Sequence, residues 1–299
     1  MIKVIIVSSI RKNAKEIAIE SMSDYLNYLD AKGEQEKISK LSYWMEDYFR
    51  YLKFEETFNP KKLKRYERGD VIKVGLGYNV GSEEGGLHYA IVLNKSNAMS
   101  SKILNIIPLT SMKGSNCRIT DYDVELGNEI YMKLHEKHEK LFKKGGEELE
   151  NQIKRFNKIR DEISLVVCLI NKIKDVELNE KELKDIDDKI KELNSYIGKK
   201  DLPVETKARE LLNIYNSSCE DMVKSLEYHK KQVEYLKSIG KEIDKMKEGS
   251  IALVGQITTI SKIRIFDPRN NSNVLTGIKL SSESLNKIDE KLKKLYIHE

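Results

Sequence analysis

A glycine-rich acidic loop followed by a histidine is the part of this chain best suited to chemistry. The loop reads Val80-Gly81-Ser82-Glu83-Glu84-Gly85-Gly86-Leu87-His88, and short apolar runs at 71–74 and 90–93 flank it. Strands on both sides would hold the histidine on rigid sheet, beside the loop. Because histidine changes charge near neutral pH, it can give and take a proton there. The stretch is therefore a candidate site for acid–base catalysis.

The segments around this loop have the composition of short β-strands. Besides 71–74 and 90–93, an apolar run covers 103–109 and a further strand is predicted within 117–126. After Gly249 the β character returns at 250–254 and 256–265. These runs predict a small, strongly bent antiparallel sheet or barrel, closed by an amphipathic helix over 281–296.

Two other regions have the apolar spacing of helices. Residues 10–56 predict a helical segment that is broken at Gly33, and residues 129–248 predict long helices, one of them over 179–197. A three–four heptad rhythm indicates an antiparallel helical hairpin or coiled coil; it joins Leu212, Tyr215, Cys219, Met222, Leu226, His229, Val233, Leu236, Gly240 and Ile243. His229 lies on this seam, where it would pack or set the register.

The order of these segments predicts an α+β protein whose β region is interrupted. Residues 1–62 form an N-terminal helical segment, 63–128 and 249–299 form one discontinuous β domain, and 129–248 form an inserted helical arm. The two β segments together have the size of one compact domain.

Composition limits the classes of partner and compartment. The arm contains 26 basic and 26 acidic residues, whereas the other 179 residues contain 27 and 22, so the net charge of +5 lies outside the arm. An anionic partner is therefore expected to bind outside the arm. The three cysteines are far apart and have no metal-ligand spacing, and no apolar run reaches membrane-spanning length. We therefore predict a soluble cytoplasmic protein without a membrane partner, metal or cofactor.

The two β segments resemble the MazF/PemK family of bacterial toxin ribonucleases. The first carries Arg68-Gly69-Asp70-Val71, Gly81-Ser82-Glu83-Glu84-Gly85-Gly86, the strand 90–93 and Pro108-Leu109-Thr110-Ser111. The second carries Gln256-Ile257 and Thr259-Ile260-Ser261-Lys262 with Arg264. The resemblance covers about a third of the chain; the arm and most of residues 1–60 have no counterpart in the minimal family.

The resemblance implies an SH3-like barrel, usually dimeric, that cuts single-stranded RNA without a metal. In that reaction the ribose 2′-hydroxyl attacks the adjacent phosphorus and leaves a cyclic phosphate and a 5′-hydroxyl. A toxin of this kind also implies a cognate antitoxin, either protein or RNA. The family usually has arginine two residues after the glycine pair, where this chain has His88. Histidine at this position either supplies better acid–base catalysis or marks an altered or lost activity.

Carried over by position, the resemblance assigns roles to individual residues. His88 and Thr110 are the expected catalytic pair. The expected RNA contacts are Ser82, Glu83, Glu84, Ser111, Gln256, Thr259, Lys262 and Arg264. Gly81, Gly85 and Gly86 are expected to serve loop geometry. Tyr78, Asn79 and Tyr89 are further candidates for contact with bases, and Arg68 is expected to anchor the fold or the dimer.

Two other functions remain open from the sequence. One is a non-catalytic binding protein on the same barrel, like relatives that poison DNA gyrase by contact alone. The other is a coiled-coil scaffold, which leaves both β signatures unexplained. For each candidate residue an ordinary structural role is the competing interpretation, such as a β-former closing a strand for Thr110.

Overall fold

The structure, a computed structural model, describes residues 2–112, 119–175, 204–246 and 249–297. The chain divides into two compact units. The sheet unit comprises residues 1–134 and 244–299, and the arm unit comprises residues 135–243. Helices and antiparallel strands together confirm the predicted α+β class. The N-terminal helices belong to the sheet unit rather than to a segment of their own.

The described elements follow the predicted order. The helices are α1 Ile2–Ala31, α2 Gln35–Glu55, α3 Glu129–Asp175, α4 Val204–Met246 and α5 Ser282–Tyr296. The strands are β1 Val71–Gly77, β2 Gly86–Val92, β3 Ile103–Ser111, β4 Asp123–Gly127, β5 Ser250–Leu253, β6 Thr258–Ser261 and β7 Ile265–Asp267. The helix predicted over 179–197 lies outside the described residues, as does the start of the strand predicted over 117–126.

The strands form one open antiparallel sheet rather than a closed barrel. Their order is β4-β5-β3-β2-β1-β7, and β6 pairs with the first half of β3. Within the part of the chain that the structure describes, no pairing joins the end strands β4 and β7. The closed barrel expected from the sequence is therefore corrected to an open antiparallel sheet of seven strands.

Short strands and one proline explain why the sheet stays open. The predicted strand over 256–265 is broken by 3₁₀ turns at Val254–Gln256 and Lys262–Arg264, which leaves β6 and β7 with four and three residues. Pro108 lies in the gap on β3 between its pairing with β6 and its pairing with β5. Since proline has no amide hydrogen, the ladder changes partner there at little cost.

The two β segments, although distant in sequence, lie in the same sheet. β3 pairs with β5, and β1 pairs with β7. Gly127 pairs with Ser250, so the chain leaves and re-enters the sheet at facing positions of adjacent strands. This pairing is what the sequence required of an insertion between two halves of one domain.

Alternate residues of the strands build the core beneath one face of the sheet. A strand points successive side chains to opposite faces, and the even-numbered apolar residues of β1, β2 and β3 are buried together. The cluster contains Phe58, Leu63, Tyr66, Ile72, Val74, Leu76, Ala90, Val92, Leu104, Ile106, Ile260, Ile263 and Ile265. Removing this apolar area from water is the main favourable contribution to the fold.

Charged side chains fix α5 to the sheet unit. Arg68 donates to the Leu93 carbonyl at 2.8 Å and pairs with Asp289 on α5, which agrees with the anchoring role predicted for it. At the start of α5, the Glu129 carboxylate accepts hydrogen bonds from the Ser281 amide at 2.5 Å and from the hydroxyls of Ser281 and Ser284. A carboxylate at a helix N-terminus is also stabilised by the helix dipole.

We expect Glu129→Gln to destabilise the protein by about 1.5–3 kcal/mol, the usual worth of hydrogen bonds to a charged group. Burial by itself would raise the pKa of Glu129, but hydrogen bonds from Lys133, Ser284 and Ser281 outweigh it and hold the pKa below 4.5. The stabilisation is therefore complete above pH 4.5 and is lost as the pH falls through the lowered folded-state value. Urea unfolding at pH 7 and at pH 3 measures the difference in unfolding free energy between the wild type and Glu129→Gln. A difference between wild type and variant that is equal at both pH values would contradict it.

The arm unit is an antiparallel helix pair. His229 on α4 is 8% exposed, and its Nε2 lies 3.1 Å from the Gln152 side-chain oxygen on α3, which also accepts from the Ser225 hydroxyl. A buried polar layer of this kind favours one register, as expected for His229. The predicted seam is displaced, because Leu226 and Val233 are exposed whereas Ser225 and Ile239 face inward. The apolar rhythm included His229 but did not mark its partners Gln152 and Ser225.

No helix within the described ranges is both long and apolar enough to span a membrane. Of the three cysteines, Cys219 is free and half-buried, whereas Cys117 and the side chain of Cys168 lie outside what the structure describes.

Candidate active site

A groove of about 590 Å³ opens at the end of the sheet where the two β segments meet. The loop between β1 and β2 contributes Asn79 and residues 82–84, and the second segment contributes residues 255–258 and Arg264. Leu76, Pro108 and Ile260 supply apolar surface, continuous with the core. Among the sequence-predicted RNA contacts, Ser82, Glu83, Glu84, Gln256 and Arg264 line this groove.

Gln256 ties the acidic loop to the second β segment. Its side-chain oxygen accepts from the Glu84 amide at 2.7 Å, and its side-chain nitrogen donates to the Ser82 carbonyl at 3.4 Å. Asn79 adds a 2.5 Å hydrogen bond to the Glu84 carbonyl. These bonds position the loop over the groove. They also occupy the amide of Gln256, which the sequence assigned to RNA.

His88 is held between two oxygen acceptors. Its Nε2 lies 3.3 Å from a carboxylate oxygen of Glu84, and its Nδ1 lies 3.2 Å from the Leu109 carbonyl oxygen. Carboxylate and carbonyl oxygens only accept, so the doubly protonated ring satisfies both contacts by donating from both nitrogens. The side chain remains 27% exposed. Two neighbours on different strands and loops therefore fix the orientation of the His88 ring.

Thr110 lies on the strand next to His88 and on the corresponding face. Tyr89 pairs with Leu109, and continuing that ladder by one position places Thr110 opposite His88. Both residues are half-buried and share the alternation that buries Ala90 on β2 and Ile106 on β3. Ser111 follows at the end of β3, where it pairs with Ser250. The expected imidazole and hydroxyl therefore belong to the same face of adjacent strands, and neither residue lines the groove.

The basic and polar residues of the second segment are placed differently. Lys262 is 2% exposed and donates to the Ala98 carbonyl at 3.2 Å. Burial lowers the pKa of this lysine. Thr259 donates to the Asn105 side chain at 2.7 Å. Both side chains hold the β3–β6 region together, and we leave them out of the proposed site for this reason.

Arg264 lines the groove but faces the protein. Its guanidinium donates to the carbonyl of Leu76 on β1, close to Trp44 of α2. Burial lowers the pKa of Arg264, and the nearby phenols of Tyr51 and Tyr48 oppose that effect. Arg264 therefore lies between the groove and α2. Its guanidinium is only partly available to a ligand.

The loop glycines have the backbone role that the sequence predicted. Gly81 and Gly86 adopt φ values of 67° and 76°, which residues with a side chain rarely reach. At Gly85 a methyl group would lie 2.8 Å from the Gly77 carbonyl oxygen. A side chain at Gly85 would push the loop away from β1, whereas one at Gly81 or Gly86 would strain the backbone.

Aromatic residues on α2 are the group near the site that the sequence did not single out. The spacing of Leu41, Trp44, Met45, Tyr48, Phe49 and Leu52 predicted an amphipathic helix. In the structure Trp44 and Tyr51 line a second cavity, of about 910 Å³, between α2 and the β1–β2 loop. The only signal in the sequence is the density of aromatic residues in 43–54, which does not distinguish a core face from a binding surface.

Comparison of the chain with protein-family models and with curated proteins finds no match. The likeness to MazF/PemK toxins thus depends on the two sequence signatures and on their meeting at one groove.

Proposed function

We propose that the sheet unit is a metal-independent endoribonuclease that cleaves single-stranded RNA, acting as the toxin of a bacterial toxin–antitoxin pair. The observation that carries this proposal is the contact of His88 with Glu84, which lines the groove framed by both signatures; the other ring nitrogen of His88 contacts the Leu109 carbonyl. The bent sheet is proposed to be an open variant of the SH3-like barrel.

The proposed reaction is transfer of a phosphoryl group from the 5′-oxygen to the neighbouring 2′-oxygen. The 2′-oxygen bonds to phosphorus as its proton leaves, and the bond to the 5′-oxygen breaks as that oxygen gains a proton. His88 supplies the second proton, and the Glu84 carboxylate takes the first. After release of the products, the pair at 3.3 Å can return the proton directly from Glu84 to His88.

Thr110 is proposed to stabilise the charge that develops on the phosphorane. Its hydroxyl is a hydrogen-bond donor on the strand beside His88, at the edge of the core. Fixed donors aimed at a developing oxyanion stabilise the transition state more than the substrate. Ser111 is the neighbouring hydroxyl on the same strand. The proposal also includes a homodimer and an antitoxin, which follow from the resemblance alone.

Incubation of the full-length protein with single-stranded RNA in excess EDTA tests the function. We expect cleavage that persists under chelation and yields 2′,3′-cyclic phosphate and 5′-hydroxyl ends, identified by end-specific ligation and sequencing. Because the reaction needs the ribose 2′-hydroxyl, a DNA oligonucleotide of the same sequence should stay intact. RNA that is bound but never cut would instead favour the non-catalytic binding protein.

A further inference from the structure

The cavity between α2 and the β1–β2 loop has walls made largely of aromatic rings. Tyr43, Trp44 and Tyr51 line it from α2, Tyr78 from the end of β1, and Phe266 from β7. We call it the aromatic cavity. Tyr43 is 71% exposed, and Trp44 is stacked on Tyr48 with ring centroids 5.5 Å apart and an angle of 19° between the planes.

Two glycines of β1 bring these rings to the sheet. A methyl group on Gly77 would lie 2.5 Å from Trp44 Nε1, and one on Gly75 would lie 3.1 Å from the Tyr51 hydroxyl and 3.2 Å from a ring carbon of Phe266. A side chain at either of these two glycines would thus displace the helix. The close approach places the aromatic residues of α2 beside the loop that covers the groove.

The charges around the aromatic cavity are mostly paired with one another. On α2 and at its start, Glu34 lies 3.1 Å from Lys37, Glu36 lies 2.6 Å from Lys40, and Asp47 pairs with Arg50. Within the described parts of the chain, no ion pair involves Glu83. Four acidic side chains and two lysines line the cavity, and because Arg50 pairs with Asp47 the remaining excess is the single charge of Glu83. The rings themselves suit a planar aromatic ligand.

The aromatic cavity and the groove share a border. Asn79 and Glu83, both in the β1–β2 loop, line the groove on one side and the cavity on the other. A polymer bound in the groove therefore needs to cross only this loop to reach the rings. Aromatic side chains next to a strand path are the usual platform for unpaired bases.

We propose that the aromatic cavity binds a nucleobase of the same RNA strand that occupies the groove, outside the cleaved link. This inference rests on the proposed function. Tyr43 and Trp44 stack on the base, and the Glu83 carboxylate accepts a hydrogen bond from an amino group on its edge. Exposed ion pairs on a helix are worth little, so Lys37 and Lys40 can turn from their glutamates to a phosphate at small cost. Adenine, cytosine and guanine carry such an amino group, and uracil does not.

The single tryptophan of the chain makes the cavity directly observable. Fully 2′-O-methylated RNA octamers cannot be cleaved, because they lack the attacking hydroxyl, and they can be titrated into the full-length protein. We expect saturable quenching of Trp44 fluorescence by mixed-sequence octamers, and weaker binding of oligo-uridine. Tyr43→Ala should weaken binding of the mixed octamer about 5- to 150-fold, the range for loss of one stacked base.

Phe49→Ala is the matched control. Phe49 also lies on α2 and is 54% exposed, but it does not line the cavity, so its loss should leave both quenching and affinity unchanged. Circular dichroism of both variants checks that α2 remains helical. A Phe49→Ala effect as large as that of Tyr43→Ala would overturn the inference, because it would show a general effect on the helix.

The failure of this inference can be distinguished from the failure of the proposed function. If RNA is cleaved while saturating octamer leaves Trp44 emission and the Tyr43→Ala affinity unchanged, the base site is refuted and the nuclease stands. If spermine or an arginine-rich peptide quenches Trp44 and RNA does not, the cavity is a cation site and the inference is likewise refuted. Quenching by RNA in a protein that never cleaves supports the base site and refutes the enzyme.

Discussion

Replacing His88 with alanine is expected to lower the rate of RNA cleavage by about 10²- to 10⁴-fold, the usual contribution of a well-placed acid–base group. The alanine removes the imidazole that contacts Glu84 and the Leu109 carbonyl and, with it, the proposed proton donor to the 5′-oxygen. The side chain lies at the exposed edge of the core, so the melting temperature should change little. The measurement is a single-turnover cleavage rate in EDTA together with a thermal unfolding curve.

Two further variants make the result specific. His138→Ala, in the arm unit, removes a histidine far along the chain from the groove and should cleave at the wild-type rate. His88→Arg restores the family's residue and keeps the charge, but arginine cannot release a proton near neutral pH. We expect it to bind RNA normally and to cleave slowly. Wild-type cleavage by His88→Ala would refute the proposed mechanism. Full activity of His88→Arg would show that charge alone is required.

Removing residues 135–243 and joining Leu134 to Asp244 is expected to leave a folded sheet unit that still cleaves RNA. The chain leaves the sheet at Gly127 and returns at Ser250, which pair with each other. Packed helices lie about 8–10 Å apart, so a glycine–serine linker of about four residues spans the gap. Analytical gel filtration, urea unfolding and the cleavage assay test the product.

The position of the cut decides the outcome of such a deletion. The sequence alone placed the boundaries at 129 and 248, but Ile130, Leu134 and Met246 are buried in the sheet unit. Each buried aliphatic residue removed costs about 2–5 kcal/mol, so deleting 130–247 should give an unstable or insoluble protein. If the shorter deletion also fails to fold, or if both fold equally well, the division into these two units is not the one that governs stability.

The helices and strands near the site were predictable from short sequence signals, but whether the sheet closes into a barrel was not. Gly33 separates α1 from α2, and the apolar runs at 71–74, 90–93 and 103–109 became β1, β2 and β3, because turn residues and alternation act within a few positions. Whether those strands close into a barrel depends on partners supplied from residues 250–267. There, 3₁₀ turns shorten β6 and β7, which no pattern of alternation foretold.

In the candidate site, too, some residues could be identified from the sequence and others were understood only from the tertiary structure. The sequence identified His88, Thr110 and the glycines of the loop as candidates, since residue types and their spacing can be read directly along the chain. The resemblance assigned Lys262, Thr259 and Gln256 to RNA as well, because they occupy positions of its second signature. Only the packing revealed that Lys262 is buried against the Ala98 carbonyl and that Gln256 is occupied by the loop.

The sequence by itself determined the β-rich segments, the helical insertion between them and the histidine after the acidic loop, because each is encoded in residues that are close along the chain. The tertiary structure alone decided that Gln256 holds the acidic loop at the groove, that the sheet stays open and that the aromatic face of α2 lines a cavity next to the groove. The reason is that these contacts join residues tens to hundreds of positions apart, and their formation depends on which surfaces can be buried together in three dimensions.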